Sequence, residues 1–183
     1  GNGEAFDVIR SGEFGKVLYA HGLCYRDRHG IGDRLSTPLE IPSNIDYDLW
    51  AGPAPMEPIY RPRLHYDWHW VWQTGNGDIG NQGPHEWDLC RWALGYDTLP
   101  VRAVSAGNRF VWNDAGETPN VQLAVVEWGV DKPPLIFEVQ NIRRAKDAES
   151  MNAHRGVRVG LVVQCEDGYF AGKDGGWFYD NDG

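Results

Sequence analysis

The sequence has little cysteine. Cys24, Cys90 and Cys165 are odd in number, far apart and without a C-x-x-C pair. Neither a disulfide framework nor a zinc knuckle can be built from them, so they read as small buried hydrophobes. No apolar run approaches the roughly 18 residues of a membrane helix, and the first residues hold no signal-peptide core. Positive charge is scarce too: 17 Lys and Arg against 26 Asp and Glu leave a formal net charge of −9. That balance argues against nucleic acid or a polybasic membrane patch as partner, and leaves small neutral or cationic ligands. Internal repeats and low-complexity tracts are missing, and 183 residues bury one sizeable core, so one domain is expected.

What is abundant is tryptophan and glycine, nine and 23 residues. Together they suggest aromatic surfaces set on a tightly turning backbone, a composition that suits carbohydrate or polyol sites. They are densest in Gly75 to Gly95, GNGDIGNQGPHEWDLCRWALG. Leu89, Trp92 and Ala93 recur at i, i+3 and i+4 and Gly95 follows as a C-cap, which predicts a helix. Gly83 and Pro84 open it, since a first-turn proline loses no hydrogen bond there. His85 then falls in the first turn, where the helix dipole disfavours its cation. A neutral imidazole beside a glycine-lined concavity suits proton transfer; a surface or capping histidine is the plain alternative.

Elsewhere the elements are simpler. Ala5, Phe6, Val8 and Ile9 share a helical face ended by Gly12, and Lys16 to Tyr25 is rich in β-formers. Arg26 to Arg63 carries six prolines around one short helical candidate, Ile45 to Trp50, and so reads as a long functional loop. In Leu64 to Gln73, Trp68, Trp70 and Trp72 alternate with His69 and Val71. An extended segment would align the three indoles as a stacking wall for a sugar ring, or they are simply core. Strands are expected at Val101 to Trp112, Val121 to Trp128, Leu135 to Ile142, Val157 to Gln164, Tyr169 to Ala171 and Trp177 to Tyr179. Turn-rich links predict antiparallel pairing, and the continuous apolar run Leu161 to Val163 predicts cover on both faces.

The string from His65 to Gly95, with Asn81, His85, Asp88 and a Leu94-Gly95 helix end, resembles the substrate-domain signature of the Gfo/Idh/MocA oxidoreductases, the family of glucose-fructose oxidoreductase and inositol dehydrogenase. Asp46 to Pro53 carries the same likeness. The resemblance implies an α+β domain: a mostly antiparallel, open-faced sheet with helices on one face. It also implies that residues 1–183 are a substrate-binding and oligomerisation domain cut at both ends, with a nucleotide-binding domain upstream. NAD or NADP would be held mainly there, and hydride would pass between the nicotinamide and a sugar, polyol or related carbinol. His85 would move the hydroxyl proton. Asn81 stands where the family has aspartate and would orient substrate or imidazole without titrating. Trp68, His69, Trp70, Trp72 and Asp88 complete the expected substrate-binding set. A homo-oligomer through the sheet is implied, in a bacterial cytoplasm or periplasm. An oxidation-assisted glycoside-cleaving branch of the family, and a noncatalytic assembly module, are the alternatives.

Two motifs are discounted. Gly75 to Gly80 fits G-x-G-x-x-G but follows a polar Trp-His stretch instead of a buried strand, so no dinucleotide site is expected there. Asp131-Lys132-Pro133 echoes the family's Glu-Lys-Pro, yet it falls in a hairpin turn, where Lys132 is a solvated residue. A metal-dependent isomerase or lyase using His65, His69 and His85 is the remaining option, and the expected metal is none, because alternation around Asp67 separates the rings.

Overall fold

The run of β-formers after Gly15 becomes the centre of the molecule. The computed structural model describes residues 1–143, 145 and 147–182, and in it this strand (β1, Val17–Tyr25) lies in the middle of one seven-stranded sheet. Helix α1 (Asn2–Ser11) precedes it and ends at Gly12 with φ 81°, a left-handed cap that glycine adopts without steric cost. After the long loop and the glycine-rich stretch come β2 (Arg102–Asn108), β3 (Val121–Glu127), β4 (Leu135–Gln140), β5 (Val159–Cys165), β6 (Gly168–Lys173) and β7 (Gly175–Asp180).

Their order across the sheet is β2-β3-β4-β1-β5-β6-β7. The neighbours β2–β3, β3–β4, β5–β6 and β6–β7 are antiparallel, the last three joined by turns and β2–β3 by the longer loop 109–120. β1 pairs antiparallel with β5 and parallel with β4. The fold is therefore the expected α+β sheet with one parallel pair, which arises because β1 inserts between β4 and β5 instead of joining a hairpin.

Helices cover one face only. Phe6 and Ile9 of α1 and Cys90 and Ala93 of α4 (Gly83–Leu94) pack on Ala20, Cys24, Leu135, Phe137, Val139, Leu161, Val163 and Phe170. Gly22 lets α4 cross β1 closely: a Cβ there would stand 2.8 Å from the Phe137 ring and 3.4 Å from the Cys90 sulfur. On the opposite face Leu23, Tyr25, Val162, Tyr169 and Ala171 bury Met151, whose segment lies across them. Leu161 to Val163 are fully buried, as expected for a strand covered on both sides, and all three cysteines are free and buried. Farther along that second face Val104, Leu123 and Trp177 are exposed.

The loops hold two short helices, α2 (Tyr47–Ala51) and α3 (Asp78–Asn81). The carboxylate of Asp46 caps α2 by accepting from Leu49 N–H at 3.1 Å, which explains why the Ile45 to Trp50 candidate starts late. Among the described residues no helix is long and apolar enough to cross a membrane.

One expectation is overturned. Trp68, Trp70 and Trp72 do not alternate along an extended segment, because Asp67–Trp70 winds into a 3₁₀ turn. In that turn the indoles diverge: Trp70 is buried with Ile31 and Ala115, whereas Trp68 and Trp72 are exposed. The turn is anchored by Asp67, which takes a salt bridge from Arg63 at 2.8 Å, and by the backbone of Gly77 donating to the His69 carbonyl at 2.7 Å. Local tertiary contacts outweigh the strand-like periodicity.

Candidate active site at the carboxyl end of the central strand

Helix α4 begins where the sequence places it. Gly83 is its first residue and Pro84 its second, and a Cβ at Gly83 would meet the Trp87 indole nitrogen at 2.8 Å and the Phe137 ring at 3.2 Å. Gly95 ends it in the left-handed conformation, φ 69°. His85 lies in the first turn, is exposed, and its N–H donates to the Gln82 carbonyl at 3.2 Å. Gln82 keeps right-handed helical dihedrals (φ −89°, ψ −37°), so α3 runs almost directly into α4. Asn81, His85 and Asp88 therefore fall at i, i+4 and i+7 on one side, while Glu86, Cys90 and Ala93 form the buried side.

Beneath that exposed side stands a residue absent from the expected set. Asp78 is fully buried and accepts hydrogen bonds from Arg28 Nε at 2.9 Å, Arg28 Nη2 at 3.1 Å, Asn141 Nδ2 at 2.8 Å and Asn81 Nδ2 at 3.2 Å. Burial opposes its ionisation, but the Arg28 guanidinium and the two amides outweigh burial and hold its pKa below the usual aspartate value. Arg28 also donates to the Tyr66 hydroxyl at 2.8 Å. Tyr66 has φ 62°, a left-handed conformation that costs a non-glycine residue on the order of 1 kcal/mol and concentrates at functional sites.

The Tyr66 carbonyl takes a 2.5 Å hydrogen bond from His69 Nδ1. A carbonyl only accepts, so Nδ1 carries the proton and Nε2 keeps a lone pair. His69 is 1% exposed and Nε2 has no partner. Burial lowers its pKa, and the imidazole is held neutral. Arg28 and Asn141 come from segments that leave the carboxyl ends of the adjacent parallel strands β1 and β4, so the sheet itself brings Arg28, Asn141, Asp78, Tyr66, His69 and Asn81 together.

The remaining expected residues scatter. Trp68 faces a cleft of about 620 Å³ that it shares with Trp50, Pro53, Ala54 and Thr74. Trp72 borders a second cleft with Tyr60 and Arg34. Trp70 lies under the Arg109 guanidinium, 5.0 Å from it, and is structural. The three indoles thus form no shared wall. The glycines of G-x-G-x-x-G are packing glycines: a Cβ at Gly75 would stand 2.4 Å from the His69 Cα, and Gly77 adopts φ 80° against Thr118 and Pro119. Their backbone is already occupied, so this chain offers no pyrophosphate cradle there. Lys132 sits in the β3–β4 turn over the Tyr96 ring, as a turn residue does. No group of three or more His, Cys, Asp or Glu stands in metal-ligating position among the described residues.

Asp78 leaves no signal in the sequence, because it occupies a variable place in that glycine motif. Arg28 and Asn141 are 50 and 63 residues away from it, and no local pattern joins them.

Glu86 is equally silent in the sequence. It is fully buried against β1, accepts from Gln82 Nε2 at 3.0 Å, and burial raises its pKa from 4.5 to about 7, opposed by Gln82, Lys173 and Arg26. Because the folded pKa is the higher one, the cost of this carboxyl is absent below the unfolded value and grows as pH rises through about 7. Glu86→Gln is therefore expected to stabilise the fold by about 3 kcal/mol at pH 8, roughly 6–12 °C in Tm, with little change at pH 4. Thermal unfolding at the two pH values checks this, and an equal gain at both would show that the charge is not the cause.

A family model described as the C-terminal alpha/beta domain of the Gfo/Idh/MocA oxidoreductase family matches residues 20–121. A search of curated protein sequences returns no match. Among solved structures, the WlbA dehydrogenase of Bordetella pertussis in complex with NADH and UDP-GlcNAcA is similar at 13% identity and TM-score 0.51, over 92% of this chain and 38% of that one. The corresponding WlbA dehydrogenase of Chromobacterium violaceum gives 14%, 0.51, 92% and 36%. An oxidoreductase of Agrobacterium radiobacter in complex with NAD+, L-tartaric acid and magnesium gives 12%, 0.50, 98% and 42%. The chain thus spans about two-fifths or less of each of these proteins, and at such identities the likeness is one of fold. With the family model covering more than half of the 183 residues and the sheet matching in three dimensions, the chain belongs to the Gfo/Idh/MocA oxidoreductases as their C-terminal alpha/beta domain.

Proposed function

We propose that this domain binds the substrate of a nicotinamide-dependent oxidoreductase acting on a secondary alcohol of a sugar, polyol or related compound. The observation that carries the proposal is the exposed His85 on the first turn of α4, one turn from Asn81, whose side-chain amide is held by the buried Asp78 network. A nucleotide-binding domain elsewhere in the protein holds NAD or NADP, and the nicotinamide, when bound, supplies the hydride chemistry. The packed glycines at 75–80 favour that division of labour, since this chain does not hold the pyrophosphate on them.

His85 accepts the hydroxyl proton during oxidation and returns it during reduction. Asn81 spends its Nδ2 on Asp78 and keeps its carbonyl oxygen to accept from a substrate hydroxyl, which orients the carbinol against the imidazole. It cannot titrate, so the proton is left to His85. The Arg28–Asp78–Asn141 network holds Asn81 in place. Asp88 lies one turn beyond His85 and contacts the outer part of the substrate. A second copy of the chain packs against the uncovered sheet face around Val104, Leu123 and Trp177.

The test is turnover of the complete protein with NAD and NADP over a panel of sugars and polyols, followed by nicotinamide absorbance. Loss of turnover in His85→Ala supports the assignment, and unchanged turnover removes it. For the aromatic cleft the expected result is narrower: Trp68→Ala raises KM about 3- to 10-fold at constant kcat, because stacking on the indole holds ground and transition states alike. A fall in kcat with KM unchanged would place Trp68 outside the binding contact.

A further inference from the structure

The net charge of −9 predicts neutral or cationic ligands, yet the cleft that extends from the carboxyl end of β1 is cationic. It measures about 620 Å³ and is lined by Arg26, Arg28, Arg143, Arg158 and Lys173 against two carboxylates, Asp27 and Glu149. Arg28 is committed to Asp78 and Arg143 to Asp27 at 2.7 Å. Among the described residues Arg26, Arg158 and Lys173 have no salt-bridge partner, and Arg26 Nε is buried without any hydrogen-bond acceptor. The Arg26 guanidinium is thus not spent on a carboxylate of the protein and keeps its charge for the cleft it lines. Arg28 lines the cleft and pairs with Asp78, which joins the cleft to the network that holds Asn81, and the charges of Arg26 and Lys173 favour ionisation of Glu86. Glu86 does little to neutralise them, because burial keeps its carboxyl partly protonated near neutral pH.

We infer that this cleft is an oxyanion subsite, formed by Arg26, Arg158 and Lys173, that takes a phosphate or carboxylate carried by the substrate. The inference rests on the proposed oxidoreductase function and narrows its substrate class to an anionic sugar or polyol. Planar guanidinium groups match the oxygens of either anion, and a concave site of one sign concentrates it against the molecule's overall field. The volume falls in the range of small-molecule sites and accommodates a monosaccharide with its charged group.

Titration of inorganic phosphate into the chain at fixed ionic strength, followed by calorimetry or amide chemical shifts, tests the site without any turnover. Saturable binding is expected, weakened about tenfold or more by Arg158→Ala or Lys173→Ala and left unchanged by Arg102→Ala, which lies on edge strand β2. Arg158 is exposed, so that variant reports binding even where Arg26→Gln fails to fold. Non-saturable binding, or saturable binding indifferent to Arg158 and Lys173, overturns the subsite. Parallel titrations with glucose 6-phosphate and glucuronate identify which anion the cleft accepts, and binding of neither overturns it too. A failure confined to these titrations leaves the His85 assignment standing, while a complete protein that turns over no sugar or polyol with NAD or NADP removes the proposed function and leaves phosphate binding untouched.

Discussion

Replacing His85 with alanine in the complete protein is expected to lower kcat by about 10²–10⁴-fold, the usual contribution of a positioned general acid–base group. Stability should stay within roughly 0.5 kcal/mol, because the side chain is exposed and holds no contact that the fold needs. Affinity for the nicotinamide cofactor, measured by fluorescence titration, should be retained. The three readings together matter. Loss of turnover with loss of cofactor binding would indicate damaged domain docking, and loss of turnover with a lowered Tm would indicate a damaged helix start. Only the isolated loss of kcat identifies proton transfer. His85→Gln sharpens the result, since the amide keeps hydrogen bonding but cannot shuttle a proton at neutral pH.

Asp78→Ala is expected to destabilise the domain by about 3–5 kcal/mol, the cost of breaking a buried pair by removing one partner. Arg28 has a side chain 16% exposed and would keep its charge with no counter-ion, and Asn141 would lose a 2.8 Å acceptor. Asp78→Asn should cost less, because the amide oxygen still accepts from one donor. Urea unfolding with an unchanged m-value measures the difference, and a loss under about 1 kcal/mol would show that water replaces the carboxylate. The pH dependence follows from the same network. The folded pKa of Asp78 lies below its ordinary value of 3.8, so its stabilisation is complete above that value and is lost as pH falls through the lower folded one. Glu86 acts in the opposite sense, with a cost that appears toward pH 7. The wild-type domain should therefore be most stable in mildly acid solution between the two transitions, and Glu86→Gln should extend that plateau toward alkaline pH.

Much of the fold is legible in the sequence. α1 and α4 appear with their glycine caps in place, β1 lies where its β-formers put it, and the six later strands fall within two or three residues of their expected positions apart from the long tail of β2, because β-forming composition and flanking turn residues act locally. Residues 65–95 also carry the family, and the family model that overlaps them agrees.

The tryptophan row shows the limit of periodicity. Trp68, Trp70 and Trp72 keep a strand-like period in sequence, yet Gly75 and Gly77 pack against the His69 backbone and force a 3₁₀ turn that sends one indole inward and two outward. A period of two describes a strand only where neighbouring strands exist to pair with it.

What the sequence alone determined is local: the order of elements, the caps that bound them, the position of His85 at a helix start, and the family. The tertiary structure decided the parallel pairing of β1 with β4 and hence the meeting of Arg28, Asp78 and Asn141, as well as the gathering of cations in a chain of net negative charge. The physical reason is one of range. Backbone preferences and side-chain periods act over a few residues and can be read along the chain, whereas a buried carboxylate finds its partners 50 and 63 residues away only after the sheet has closed.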